Sequence, residues 1–330
     1  MTATALVSLR QCLPADLALD EPDIAGALTV FPVLGSAGPL RYLSLASGAA
    51  AGVKVRELPG ASVNNLVVDN PLGVPVLLYE GEELLGAQQN RTVDHAVLLA
   101  PATTTTIGVS CVEHGRWEAT RHSETMRSSP NAAFPELRRH KSQRMRARLA
   151  AGLEARADQG EVWDTVRKRE VELQTDSPTG AMSDLYVQRA DELDRHQRAI
   201  RRRPGQLGSL VAIGGRFVVL DLVSRPEVYA DLHGPLVAGY ALDALDEPAK
   251  AAPLLTDAQA WLDDALEQVG RRTRVRGMGD GVLVDASHGG GTGLVVDDHL
   301  VQLCLYGGDG APSPSVESMS ARIRRPSRRR

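Results

Sequence analysis

The sequence predicts an α+β fold, with an antiparallel β-sheet or sandwich core, an inserted helical hairpin, and further helices packed on one side. Three observations carry this expectation. Short runs rich in Val, Ile, Leu and Thr occupy both ends of the chain, separated by turn-forming Asn-Pro, Gly-Gly and Asp-Asp steps. Between them, residues 135–203 turn densely charged, with apolar residues at helical spacing. Hydrophobic residues make up 43% of 330 positions, enough for a substantial core, yet only 4% are aromatic, so Val, Leu and Ala must fill it.

In chain order, Leu28–Leu34 reads as a strand ending at Gly35, and Leu66–Val68 as one stopped by Asp69-Asn70-Pro71. Val74–Tyr79 is a third, with Pro75 marking an edge. Thr92–Leu99 alternates with Val93, His95, Val97 and Leu99 on one face, which places His95 on a packed sheet face. Ala100-Pro101-Ala102 breaks that run, and Thr103–Val112 resumes it with Ile107, Val109 and Cys111 in phase. Two strands of similar length with a short connection pair antiparallel, so Ser110–Trp117 must return beside Glu80–Arg91.

Met145, Leu149, Leu153, Val162, Val166 and Leu173 trace a first helix, Ser177–Gly180 interrupts, and Ser183–Arg201 forms a second. Leu210–Ile213 and Phe217–Leu220 flank a Gly214-Gly215 hairpin turn. Ser224-Arg225-Pro226-Glu227 matches a capping box opening a helix to Leu245, and Thr256 opens another to Val269. Strands return at 282–284, 293–296 and 299–305. The implied organisation is an N-terminal segment 1–27, one domain 28–306, and a tail 307–330 predicted to be disordered.

The formal charge of −4 is uneven. Residues 322–330 hold six arginines and no acid, so the remaining body stands at −10. An acidic body argues against a nucleic-acid-binding core, although the basic tail can meet an anionic partner. The run Arg138–Arg148, with six Lys or Arg and no acid, reads either as a solvated helix face or as a phosphate contact. No apolar run reaches the roughly 20 residues of a membrane-spanning helix, and the first residues lack a signal peptide's basic and apolar regions. Cys12, Cys111 and Cys304 are odd in number and widely spaced, which fits a reducing cytoplasm.

The residues suited to chemistry cluster in the two meeting segments. Gln88, Gln89, Asn90 and Arg91 offer carboxamides and a bidentate guanidinium to a polar ligand, or else satisfy loop backbone. Glu80, Glu82, Glu83 and Glu113 are acid/base candidates or ion-pair partners of Arg91 and Arg116. Cys111 with Glu113 and His114 invites a nucleophile reading, but its phase turns it inward as a small hydrophobe, and Ser110 points to the other face. His288 lies in a glycine loop lacking the strand-to-helix context of a phosphate cradle. No sequence-local set has zinc-ligand spacing, and a metal held by distant residues such as Glu80, Glu113 and His114 stays open. No cofactor is indicated.

Leu77–Glu82, Gly86–Arg91 and Ser110–Trp117, with Gln159–Trp163, Gly208–Asp221 and Tyr240–Ala244, resemble the ARPP domain. This domain is associated with ADP-ribosylglycohydrolases and rhodanese/phosphatase-superfamily proteins. The resemblance covers most of 28–306 and places the family motif on Glu80, Gln89, Asn90, Arg91, Cys111, Glu113, Arg116 and Trp117. Its associations imply a nucleotide-like ligand related to NAD or ADP-ribose. Glu80 or Glu113 would then act as acid/base, Arg91 or Arg116 would hold the pyrophosphate, and Trp117 would stack a base. The alternative is a non-enzymatic interaction or scaffold protein whose motif is a structural hydrogen-bond network.

Overall fold

A computed structural model describes residues 6–58, 62–151, 153–286 and 289–308. The fold is α+β, and the two ends of the chain build its largest sheet together. The hairpin Gln206–Ile213/Arg216–Val223 forms around Gly214 and Gly215, both at positive φ as a tight turn requires. One side of it pairs Leu28–Leu34, and the other pairs His299–Gly307. From there the sheet continues through Gly289–Val296, Asp280–Ala286 and Val269–Arg274 to Leu6–Ser8. The segment before residue 28 therefore contributes to the sheet through Leu6–Ser8, and through Ala18–Leu19 and Asp23–Ala25, which pair with Leu28–Leu34.

A second sheet runs in the order Arg127–Ala132, Glu82–Leu85, Arg91–Val93, Thr103–Cys111, Asn65–Asn70, Lys54–Glu57. A third, of three short strands, joins Val97–Leu99 to Val76–Leu78 and then, in parallel, to Leu43–Ser44. The pairing of the two Thr- and Val-rich runs holds only at one end. Arg91 to Val93 sit opposite Cys111 to Val109, but Thr103–Gly108 pair with Asn65–Asn70 instead. The expected strand 92–99 is broken. At Asp94, His95 and Ala96 the chain leaves the second sheet and enters the third.

The predicted helical hairpin is four helices: Pro135–Ala150, Gln159–Glu172, Met182–Gln188 and Ala190–Ala199. Asp158 starts the second by accepting from the Glu161 amide, and Arg189 separates the last two. Ser224 does not cap Pro226–Ala244; its hydroxyl pairs instead with Tyr42. These helices and Pro226–Ala244 cover one face of the large sheet, where Tyr229, Leu236 and Leu242 pack on Val211 and Val219. Leu9–Cys12 and Leu255–Glu267 cover the other face, packing on Phe31, Leu220 and Leu303. No helix among the described residues is long and apolar enough to cross a membrane.

Candidate functional site

The two polar segments meet as their strand lengths require, because Arg91 stands opposite Cys111 on one side and Leu84 on the other. Most of their polar groups face each other. Glu113 accepts from Arg116 Nε at 2.9 Å, Thr179 Oγ1 at 2.9 Å and the Asn90 amide at 3.0 Å. Arg116 also donates to the Ala87 carbonyl and to Asn90 Oδ1, which accepts the Gly86 amide as well. Burial alone would raise the Glu113 carboxyl. Arg116 and the amide of Asn90 outweigh it and hold the group below the usual carboxylate range. Such a carboxylate is a weak base, and its contacts tie Asn90, Arg116 and Thr179 together. Arg116→Ala leaves Glu113 buried without its cation, so we expect a loss of about 2 kcal/mol in urea unfolding.

Arg91 is fully buried. It donates to Gln89 Oε1 at 2.8 Å and to Cys111 Sγ at 3.0 Å, and it pairs with the equally buried Glu57 at 3.4 Å. Trp117, 46% exposed, lies over it with 5.8 Å between guanidinium carbon and ring centroid. The Cys111 thiol faces inward as its phase predicts, and burial pushes it up to about 11. His114 packs edge-on against Trp163, with 4.4 Å between ring centroids.

Glu80 engages different partners from Glu113. It accepts from Thr292 Oγ1 at 2.8 Å and from the Tyr306 hydroxyl. Beside it, Arg138 binds both oxygens of Asp221, which also accept from Tyr79 at 2.7 Å and Tyr240 at 2.6 Å. Arg138 and Asp221 are fully buried, so part of the basic run Arg138–Arg148 is core rather than solvated face. Gly81 makes room for this. It sits at φ 88°, and a Cβ there would lie 2.7 Å from Arg138 Cδ.

The break at Asp94–Ala96 opens onto a cavity of about 310 Å³. One wall is the break and Gly108. The other comes from the large sheet, with Thr292 and Gln302, and from Met145 of the helix Pro135–Ala150. Asp94 is set by Ser110 Oγ at 2.6 Å and by Lys141 Nζ at 3.1 Å, and Lys141 also donates to the Val93 carbonyl at 3.0 Å. Burial pushes Lys141 below its ordinary range, against the pull of Asp94. His95 lies half-buried beside it, and its buried Nδ1 has no hydrogen-bond partner in the protein. Burial pushes its imidazole below the usual value, so it is neutral near pH 7. Gln302 is fully buried in the cavity wall, and neither its Nε2 nor its Oε1 has a partner. The exposed lining includes Arg156, Arg274 and Arg276 and one exposed carboxylate, Glu154, which pairs with Arg276 at 3.0 Å; Arg276 also donates to the Thr106 carbonyl at 3.2 Å.

Asp94, Lys141 and Gln302 have no motif to announce them. The signal available was polarity out of place: Asp94 after a strand, and Gln302 within the apolar run Leu300–Leu305. His288 and the arginine-rich tail lie outside the described residues.

The fold and the cavity define an α+β protein with an arginine-rimmed cleft between its sheets. The chain belongs to ARPP-1, the ARG and Rhodanese-Phosphatase-superfamily-associated Protein domain family, whose family model matches residues 16–306. Comparison with curated proteins and with solved structures returns no match.

Proposed function

We propose that this protein binds a small anionic ligand, nucleotide-like in kind, in the cavity beside Asp94 and His95. The carrying observation is a set of buried polar atoms without protein partners, on His95 and Gln302, at a cavity that three arginines line. Leaving such atoms unpaired costs about 1–3 kcal/mol each, a cost a ligand removes. The volume of about 310 Å³ stands at the small end of the roughly 300–1,000 Å³ typical of ligand pockets. It favours a mononucleotide or sugar phosphate over a dinucleotide. Arg274 and Arg276 attract the phosphate, and His95, neutral near pH 7, can accept a proton from a ligand held there. Asp94, fixed by Lys141 and Ser110, orients the segment carrying His95. The Glu80–Arg91 and Ser110–Trp117 segments support this reading as the frame from whose strand Asp94 and His95 emerge.

The test is calorimetric titration with adenosine 5′-monophosphate, uridine 5′-monophosphate and ribose 5-phosphate. At least one should bind, weaken about tenfold or more in Arg274→Ala/Arg276→Ala, and weaken again on raising the salt from 50 to 500 mM. The same ligand should lose affinity in His95→Ala while the unfolding temperature stays near that of the parent. No heat with any of the three, or binding indifferent to these substitutions, would sink the proposal.

A further inference from the structure

We infer that the ligand presents a planar edge with a hydrogen-bond donor and acceptor side by side, as a lactam, carboxamide or nucleobase does, and that Gln302 reads it. The inference rests on the cavity proposed above as the ligand site. Gln302 stands on the strand His299–Gly307, whose inward polar residues all have partners except this one. Cys304 lies between Arg138 and Asp221, and Tyr306 donates to Glu80. Across the strand, Thr292 is opposite Cys304 and also donates to Glu80. Gln302, opposite Leu294 and Val223, is the position along this strand face where the polar network stops and the cavity begins.

A carboxamide carries donor and acceptor in one plane. A carboxylate or phosphate would pair only with Nε2 and leave Oε1 buried and empty, while an ammonium would do the reverse. A group with both functions on adjacent atoms satisfies both in one step, with bidentate geometry. The anionic part of the same ligand is then left for Arg274 and Arg276. The inferred ligand thus carries a neutral amide-like head and an anionic end.

The experiment compares uridine 5′-monophosphate and adenosine 5′-monophosphate with ribose 5-phosphate, which has the anionic end and no such head. It uses the full chain and the Gln302→Met variant. At least one nucleotide should bind the parent about 10- to 100-fold more tightly than ribose 5-phosphate. Gln302→Met should bring that ratio to within about threefold. Without ligand, the variant should unfold at the parent's temperature or above, because the amide it removes has no partner to lose. Ribose 5-phosphate binding as tightly as both nucleotides overturns the inference while leaving the cavity reading intact. So does Gln302→Met retaining the preference, or unfolding at a markedly lower temperature. Absence of all binding overturns both.

Discussion

Asp221→Asn is expected to destabilise the protein by about 3–5 kcal/mol, the cost of removing one partner of a buried ion pair. Arg138 and Asp221 are both fully buried, and the guanidinium meets both carboxylate oxygens. Asparagine keeps the shape but turns a donor toward Arg138, Tyr79 or Tyr240, and leaves the arginine charge uncompensated. Against a typical total of about 5–15 kcal/mol, that is a large fraction. Urea unfolding measures it, and a loss below about 1 kcal/mol would show that the network does not hold the sheets together. The pair Arg138→Met with Asp221→Leu should recover only part of the loss, because the hydroxyls of Tyr79 and Tyr240 remain buried without their acceptor. Acid supplies a second signature. Arg138 and the tyrosine hydroxyls hold Asp221 below its ordinary range against burial. Its stabilisation is therefore present above the unfolded value of 3.8 and lost as pH falls through the lower folded value. Asp221→Asn should lack that component of acid unfolding.

This network explains why the fold was more legible than the cavity. Local pattern governs Thr103–Cys111 and the Gly214-Gly215 hairpin, where β-branched residues and positive-φ glycines act within a few positions of themselves. The meeting of the two motif segments followed from strand length alone. The break at Asp94 did not, because Val93, His95, Val97 and Leu99 keep a period of two straight through it. What turns the chain there is Lys141, 47 positions away, which takes Asp94 and the Val93 carbonyl together. Arg138 shows the same limit. Its neighbours mark a charged helix, and only the distant Asp221 makes it core. Gln302 reads as one polar residue in an apolar strand, and its meaning depends on a cavity assembled from many separate stretches of chain.

Between pH 7 and 8 the protein is expected to lose stability as pH rises, and Glu82→Gln should remove much of that loss. Burial pushes the Glu82 carboxyl up to about 8, with the negative charge of Asp231 adding to it, although the Tyr79 amide donates to Glu82 Oε2 at 2.6 Å. The folded state therefore keeps a proton that the unfolded chain gives up near 4.5. A raised carboxyl contributes stability that is complete below the unfolded value and is lost as pH rises through the folded one. The slope is at most about 1.4 kcal/mol per pH unit for one proton. Glu83 and Asp243, each raised to about 7 by burial, act in the same direction but finish lower. His95, His140 and His233 are shifted down, so they act with the opposite sign and only below their ordinary value of 6.5. Of these three carboxyls, Glu82 is the last to lose its proton as pH rises above 7. Glutamine can still accept the Tyr79 amide and carries no charge to expose. Urea unfolding at pH 7.0, 7.5 and 8.0 should show the parent falling and the variant flatter, with the gap between them widening at each step. Parallel curves would mean that Glu82 is ionised in the folded protein, and that this strand bears a buried charge without a buried cation to match it.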